Sequence, residues 1–248
     1  SGRYLCFLDD DDQWTDENYL DHVFASITAA DQPVDLHYSN QRAVDSHGVM
    51  QTKNVWLDDL IPRATHQTKN GEDSYLVDTK FLLSGSGFAH LNCSIFERGF
   101  YEALGGMDES IRYENDRDIF IRSVDAANVI LFSTRYTSLH NIPDVNAKNN
   151  MSTVSSNIQK KMYQMRVYDK GISLCEQDIV VHFCCRGKTY ELKHAATMLA
   201  QNKRYRSAAQ YARAALLNGF NPRWLAYTLY LTVQAWFTPH SPSNDNNL

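Results

Sequence analysis

Three polar groups along this chain have side chains suited to chemistry: the run Asp9-Asp10-Asp11-Asp12, the segment Glu114-Asn115-Asp116-Arg117-Asp118, and His140. Four adjacent carboxylates repel one another, so the run makes most sense when a divalent cation or sugar hydroxyls neutralise part of it. The competing reading has one Asp capping the next helix and the others solvated. Two acidic clusters and an imidazole can together hold a divalent metal and move a proton. An EF-hand does not fit. Counted from Asp9, its sixth position is Trp14 where Gly is needed, and its twelfth is Leu20 where Glu is needed.

Each group needs an element to hold it. Tyr4-Leu5-Cys6-Phe7-Leu8 is too short for a helix and rich in β-favouring residues, which predicts a buried strand. The aspartates then stand at its C-terminal end, where open α/β sheets place ligands. From Asp16 to Ala30 apolar residues recur at helical spacing, with Thr15 as the N-cap. Val34 to Val44 alternates as a strand, and Asp45-Ser46-His47-Gly48 turns into a second strand, Val49 to Lys53. Asp58 to Asp78 reads as a loop with a short helix. Ala89 to Phe96 reads as a strand, followed by a helix from Arg98 to Leu104 that Gly105-Gly106 ends. A helix from Asp116 to Ala127 would bury Ile119, Phe120, Val124 and Ala127, and Val129 to Phe132 forms one more buried strand. His140 follows it.

Beyond His140 the composition changes. Residues 144–157 are crowded with Asn, Ser, Thr and Asp and read as a hinge between a sheet region, 1–143, and a helical region, 158–238. Tyr205-x-x-Ala208, Ala215-Leu216, Gly219 and Pro222 have the rhythm of a helical hairpin similar to a single tetratricopeptide-type repeat. Trp224 to Phe237 reads as a packed helix, with a membrane-surface face as the alternative. The tail 239–248 is expected to be disordered.

A chain of 248 residues with 43% hydrophobic and 21% charged residues has the apolar content of one or two globular domains. Its formal charge of -5 argues against a nucleic-acid partner. Five cysteines without CxxC spacing suggest reduced thiols in a cytoplasmic protein, peripheral at the inner membrane face if the last helix docks there. No stretch is apolar over enough residues to span a bilayer.

The motifs resemble glycosyltransferase family 2, whose members have the GT-A fold. Gly2-Arg3-Tyr4-Leu5-Cys6-Phe7-Leu8-Asp9-Asp10-Asp11-Asp12-Gln13-Trp14 is similar to the family's G-x-Y-h-x-F-L-D-x-D-D-x-W signature. Asn92, Ser94-Ile95-Phe96-Glu97-Arg98, Phe100 and Leu104-Gly105-Gly106-Met107-Asp108-Glu109 resemble the N-x-S-h-h-x-R-x-x-F-x-x-h-G-G-F-D-E stretch. Asn115-Asp116-Arg117-Asp118-Ile119-Phe120-Ile121-Arg122 resembles the E-D-x-D-h-x-h-R helix start, with Asn115 in place of the more frequent Glu. The three blocks keep family order.

The resemblance implies an α/β chain: the C-terminal part of a GT-A domain, Rossmann-like with a mixed sheet, followed by the helical, tetratricopeptide-like extension. It implies an inverting transferase that moves a sugar from a nucleotide-diphosphate donor to a glycan or lipid-linked acceptor with Mn2+ or Mg2+. Asp116 matches the catalytic base, with Glu114 and Asp118 as competing neighbours. Asp9, Asp10 and Asp12 fall on the donor side, Asp9 facing the ribose. Asp11 and His140 match the metal ligands, and Asp12 supports them or binds through water. Gly105, Gly106, Asp108 and Trp14 fall on the acceptor side, although helix capping and aromatic packing explain the glycines and Trp14 equally well. Arg122 pairs with Asp118 one turn earlier. The helical region would serve self-association, membrane docking or acceptor recognition.

A GT-A domain begins with strands that form the nucleotide pocket, and this chain opens at the D-x-D strand. A fragment is therefore expected, and residues 1–248 alone should not turn over a nucleotide sugar. Two other functions remain open: a non-catalytic interaction module built on a degraded transferase, and a divalent-metal phosphohydrolase.

Overall fold

A computed structural model describes residues 2–51, 56–144 and 155–238. Seven strands form one mixed sheet: β1 (Tyr4–Cys6), β2 (Gln13–Trp14), β3 (Leu36–Val44), β4 (Thr68–Lys69), β5 (Ser74–Val77), β6 (Ser94–Glu97) and β7 (Ile130–Asn141). Their order is β1-β6-β3-β7-β5-β4, with β2 also paired to β7. The central pair β3–β7 is parallel and the other pairings are antiparallel. Burial of Leu36 to Gln41 without a break fits a strand enclosed on both edges and both faces.

Helices α1 (Tyr19–Thr28), α2 (Ile61–Ala64), α3 (Thr79–Leu83), α4 (Arg98–Ala103) and α5 (Asn115–Ala126) surround the sheet. The main core packs Leu36, Tyr38, Phe96 and Phe132 of the sheet against Phe81, Leu82, Ile119, Phe120 and Val124 of α3 and α5. The Tyr38 hydroxyl reaches Ser123 of α5 at 2.8 Å, so even the polar tip of this buried ring is satisfied. Four further helices follow: α6 (Asn157–Leu174), α7 (Asp178–Gln201), α8 (Tyr205–Asn218) and α9 (Pro222–Phe237). Ser156 and Gln159 form a capping box at the start of α6. Val167, Tyr168, Val180 and Cys184 of α6 and α7 join the main core, so the first two of these helices pack directly on the sheet region. The hairpin expected after Tyr205 is present as α8 and α9, with Gly219 ending α8 and Pro222 opening α9.

Several elements differ from the sequence reading. β1 ends at Cys6 and is half-buried, because it is an edge strand paired to β6. α1 starts at Tyr19, since the amides of Thr15 and Asp16 both bond the Thr137 carbonyl and Asp16, not Thr15, accepts from Asn18. The strand expected from Ala89 begins only at Ser94, after a 3-10 turn over Leu91–Cys93. The stretch 58–78 contains a hairpin, β4–β5, around Asn70-Gly71, where Gly71 takes a φ of 88°. The second strand after Gly48 is reduced to a bridge between Val44 and Met50, and residues 52–53 lie outside the described residues. β7 runs nine residues past Phe132 and carries His140 within it. Most of the expected hinge, 145–154, and the tail 239–248 lie outside the described residues.

Candidate functional site

The site gathers where β1 ends, β2 and β7 pair, and the turn before β6 crosses beneath them. Asn92 is its hub. This buried side chain accepts from the Asp9 amide at 2.9 Å and donates to Asp12 Oδ2 and to Gln41 Oε1. The Asn92 backbone carbonyl accepts from the Trp14 indole N–H at 3.1 Å, which fixes that ring against Tyr19. The aspartate run therefore does not wave in solvent; both of its ends are tied to one 3-10 turn.

The four aspartates have different surroundings. Asp12 is fully buried at its carboxylate, with Oδ1 accepting from the Asn141 amide at 2.8 Å and Oδ2 bonded to His140 Nδ1 at 2.8 Å. Burial alone would raise its pKa, but the bonds from His140, Asn141 and Asn92 outweigh burial and hold it below the ordinary range. Asp9 is pushed upward, by burial first and then by the charges of Asp12 and Asp11. Ligand-capable oxygens of Asp9, Asp11 and Asp12 lie within 4.8 Å of one another. Asp10 is exposed and stands outside that group.

His140 belongs to a second group, with Asp12 and His90, whose ligand atoms also fall within 4.8 Å. Burial disfavours its charged form, yet Asp12 and then Asp11 and Asp9 raise its pKa overall. A carboxylate holding Nδ1 of a histidine leaves Nε2 as a lone-pair donor, which is how metal-binding imidazoles are oriented. Carboxylate oxygens with such an imidazole fit a hard divalent cation. Asp12 belongs to both groups and links them.

His90 completes the site and carries no motif. Its Nε2 stands 3.7 Å from Asp9 Oδ2 and 3.9 Å from Asp116 Oδ2, between the aspartate run and the start of α5. Burial and the neighbouring His140 push its pKa down to about 4, so it is a neutral imidazole at neutral pH. Trp56, buried, packs edge-on to both His90 and His140. The signal that could find His90 is its place two residues before Asn92. Nothing in the sequence marks Trp56.

Asp116 is half-buried in the first turn of α5, where its Oδ1 accepts from the Arg117 amide at 2.8 Å. A helix N-terminus favours an ionised carboxylate. Here burial and then Glu114 outweigh it, and the pKa of Asp116 is pushed up to about 7. Both neighbours named as competitors are engaged elsewhere. Glu114 adopts a left-handed φ of 66°, pairs with Arg117 at 2.6 Å and accepts from Gln164 of α6. Arg117 in turn donates to the Tyr168 hydroxyl and lies over the Phe88 ring. Asp118 is buried between Arg122 at 2.6 Å and Lys170 of α6 at 2.9 Å, which includes the expected Asp118–Arg122 pair.

The remaining residues lie around α4. Gly105 and Gly106, with φ of 78° and 64°, close that helix through bonds to Glu102 and Tyr101, a Schellman end. The carbonyls of Leu104 and Gly106 accept from Arg122. Asp108 is bonded to Lys170 and Ser110, with Lys170 the larger influence, and its carboxyl is held well below the usual range.

No protein-family model matches the sequence, and no curated protein matches it. Solved structures do match over nearly its whole length. S. aureus TarS 1-349 in complex with UDP-GlcNAc superposes with a TM-score of 0.56 at 12% identity, over 94% of this chain and 64% of that one. The GT-A architecture is shared. A longer structure of S. aureus TarS gives 0.54 at 10% identity, covering 96% of this chain and 39% of that one. TarS 1-349 in complex with UDP gives 0.51 at 13% identity, covering 94% of this chain and 63% of that one. The GT-A-like chain thus spans less than two thirds of each of these TarS chains. TarS is a GT-A fold glycosyltransferase, and the likeness extends through the C-terminal helices.

Proposed function

We propose that this chain carries the metal-binding and proton-accepting part of an inverting glycosyltransferase that moves a sugar from a nucleotide-diphosphate donor to a hydroxyl of a glycan or lipid-linked acceptor. The observation that carries this reading is the convergence of Asp9, Asp11 and Asp12 with Asp116 across a single neutral imidazole, His90. The GT-A-like fold, shared with a protein solved with UDP-GlcNAc, supports it.

Asp11, grouped with Asp9 and Asp12, and His140, grouped with Asp12 and His90, would hold Mn2+ or Mg2+, with Asp12, shared by both groups, orienting the imidazole. When bound, the cation supplies positive charge for the diphosphate that leaves as the glycosidic bond breaks. Asp9 and Asp10 lie on the donor side, with Asp9 toward the ribose. Asp116 takes the proton of the attacking acceptor hydroxyl. A carboxylate with a pKa of about 7 is well matched to that task, because it is partly ionised at neutral pH and still basic. One base driving one displacement inverts the anomeric centre. His90 Nε2 stands between the Asp9 and Asp116 carboxylates, 3.7 Å and 3.9 Å away, and keeps them apart. The acceptor would approach along Gly105, Gly106 and Asp108. Trp14, its N–H already bonded, offers only its ring face to a sugar.

The test is nucleoside-diphosphate release by the full-length protein across a panel of nucleotide sugars, with Mn2+ or Mg2+ and candidate acceptors. Metal-dependent, acceptor-stimulated release that Asp11→Ala abolishes is the expected result. Release of inorganic phosphate from a phosphoester without any acceptor would replace this reading with a hydrolase. No turnover of any donor, with Asp11→Ala leaving partner binding intact, would replace it with an interaction module.

A further inference from the structure

Helix α9 has two apolar faces, and among the described residues only one is packed against the rest of the chain. Thr228, Leu231 and Ala235 are buried, Leu231 against Ala208, Ala209 and Ala212 of α8. The opposite face presents Leu225, Leu229, Tyr230, Val233, Trp236 and Phe237, with Trp236 80% and Phe237 78% exposed. Their three- and four-residue spacing aligns them in one stripe along the helix. A contiguous apolar surface of this kind marks an interaction site.

Charge indicates the occupant. From Leu192 to Thr238 the sequence contains six Lys and Arg and no Asp or Glu, in a chain of formal charge -5. Arg223 opens α9, Arg213 is exposed on α8, and Lys203, Arg204 and Arg206 surround the start of α8. Because α8 and α9 form an antiparallel hairpin, that last cluster lies at the end where Trp236 and Phe237 emerge. Trp and Tyr side chains favour the boundary between lipid and water. Apolar insertion joined to a basic rim is the pair of signals that holds a protein on an anionic bilayer. A second copy of the chain would instead bring two basic surfaces together.

We propose that the outer face of α9 docks on an anionic lipid surface. The test is co-sedimentation of the full chain with vesicles of phosphatidylcholine, or of phosphatidylcholine mixed equally with phosphatidylglycerol. Binding should be about tenfold stronger on the anionic vesicles and fall steeply as salt is raised to about 1 M. Leu229→Glu combined with Val233→Glu should lower it by about tenfold or more, because two charges would have to enter the lipid boundary. Trp236→Ser, at an exposed position, should lower it several-fold with an unchanged melting temperature. Equal sedimentation with both vesicles, or unaltered binding by the variants, would overturn the proposal. So would a lipid-free dimer, seen by sedimentation equilibrium, that the double substitution dissociates while no vesicle binding occurs; that result would assign the face to a second copy.

Discussion

Asp12 and Asp116 are the same residue type facing the same small site, and their surroundings drive them in opposite directions. Asp12 is wrapped by three donors, from Asn92, Asn141 and His140, and stays ionised although its carboxylate has no contact with solvent. Asp116 has one backbone donor, from Arg117, against it, and burial first and then Glu114 push its pKa up to about 7. Burial alone does not decide the charge of a carboxylate. The number of donors facing it does. One side-chain type thus gives a fixed anion at Asp12 and a carboxyl that titrates near neutrality at Asp116, through its neighbours alone.

The largest effect expected from breaking this pair is on turnover. Asp116→Asn in the full-length protein should lower kcat by roughly 10²- to 10⁴-fold with the far-UV spectrum unchanged. A loss below tenfold would show that Asp116 is not the proton acceptor. Next comes the donor shell of Asp12. Asn92→Ala removes its bonds to Asp12, Gln41 and the Asp9 amide at once, so urea denaturation should show a loss of about 1–3 kcal/mol. Mn2+ affinity, read by calorimetry, should weaken about 10- to 100-fold in the same variant. Unchanged affinity would separate Asp12 from the metal site.

A smaller effect is expected on the other side of the pair. Gln164→Ala cuts the bond from α6 to Glu114 and should cost about 1 kcal/mol in chemical denaturation. The smallest effect concerns Asp108. Its folded pKa is depressed by Lys170, so its stabilisation is present above the unfolded carboxylate value and is lost as pH falls through the folded value. The melting-temperature gap between parent and Asp108→Asn should therefore be widest near neutrality and narrow progressively below about pH 4, toward the depressed folded value. A gap independent of pH would assign the difference to something other than the Lys170 pair.

The elements behind the dense motifs were legible, because Asp9 to Asp12 and Asn115 to Arg122 combine a turn or helix start with charge and Gly105-Gly106 ends a helix. His90 was hidden because Ala89 to Phe96 reads as a strand, whereas His90 caps a 3-10 turn at Leu91–Cys93 before the strand begins at Ser94. The second half of β7 was hidden for a different reason. Ser133, Thr137 and Ser138 are buried by hydroxyl and amide bonds, such as Ser39–Thr137 at 2.7 Å and Ser138–Gln41 at 3.2 Å, and these leave no apolar alternation to read. The raised pKa of Asp116 comes first from burial and then from Glu114, which is held in a left-handed conformation by Arg117 and Gln164; both are tertiary outcomes that a helix terminus alone does not show. The link between α5 and α6 also joins residues about fifty positions apart, beyond the reach of any local pattern.

The parallel pairing of β3 and β7 is uneven. Between the pairs Tyr38–Phe132 and Gln41–Ser138, β3 advances by three residues and β7 by six. Side chains alternate faces along a strand, so an odd surplus inverts the face that every later residue presents. The direction in which His140 points is thus an arithmetic property of the chain length between two well-packed halves. One residue deleted from 133–137 would turn that imidazole away from Asp12 while leaving Ile130, Leu131 and Phe132 seated in the core. Such a segment can gain or lose the His140–Asp12 contact by a change in count, with no change in the core sequence at all.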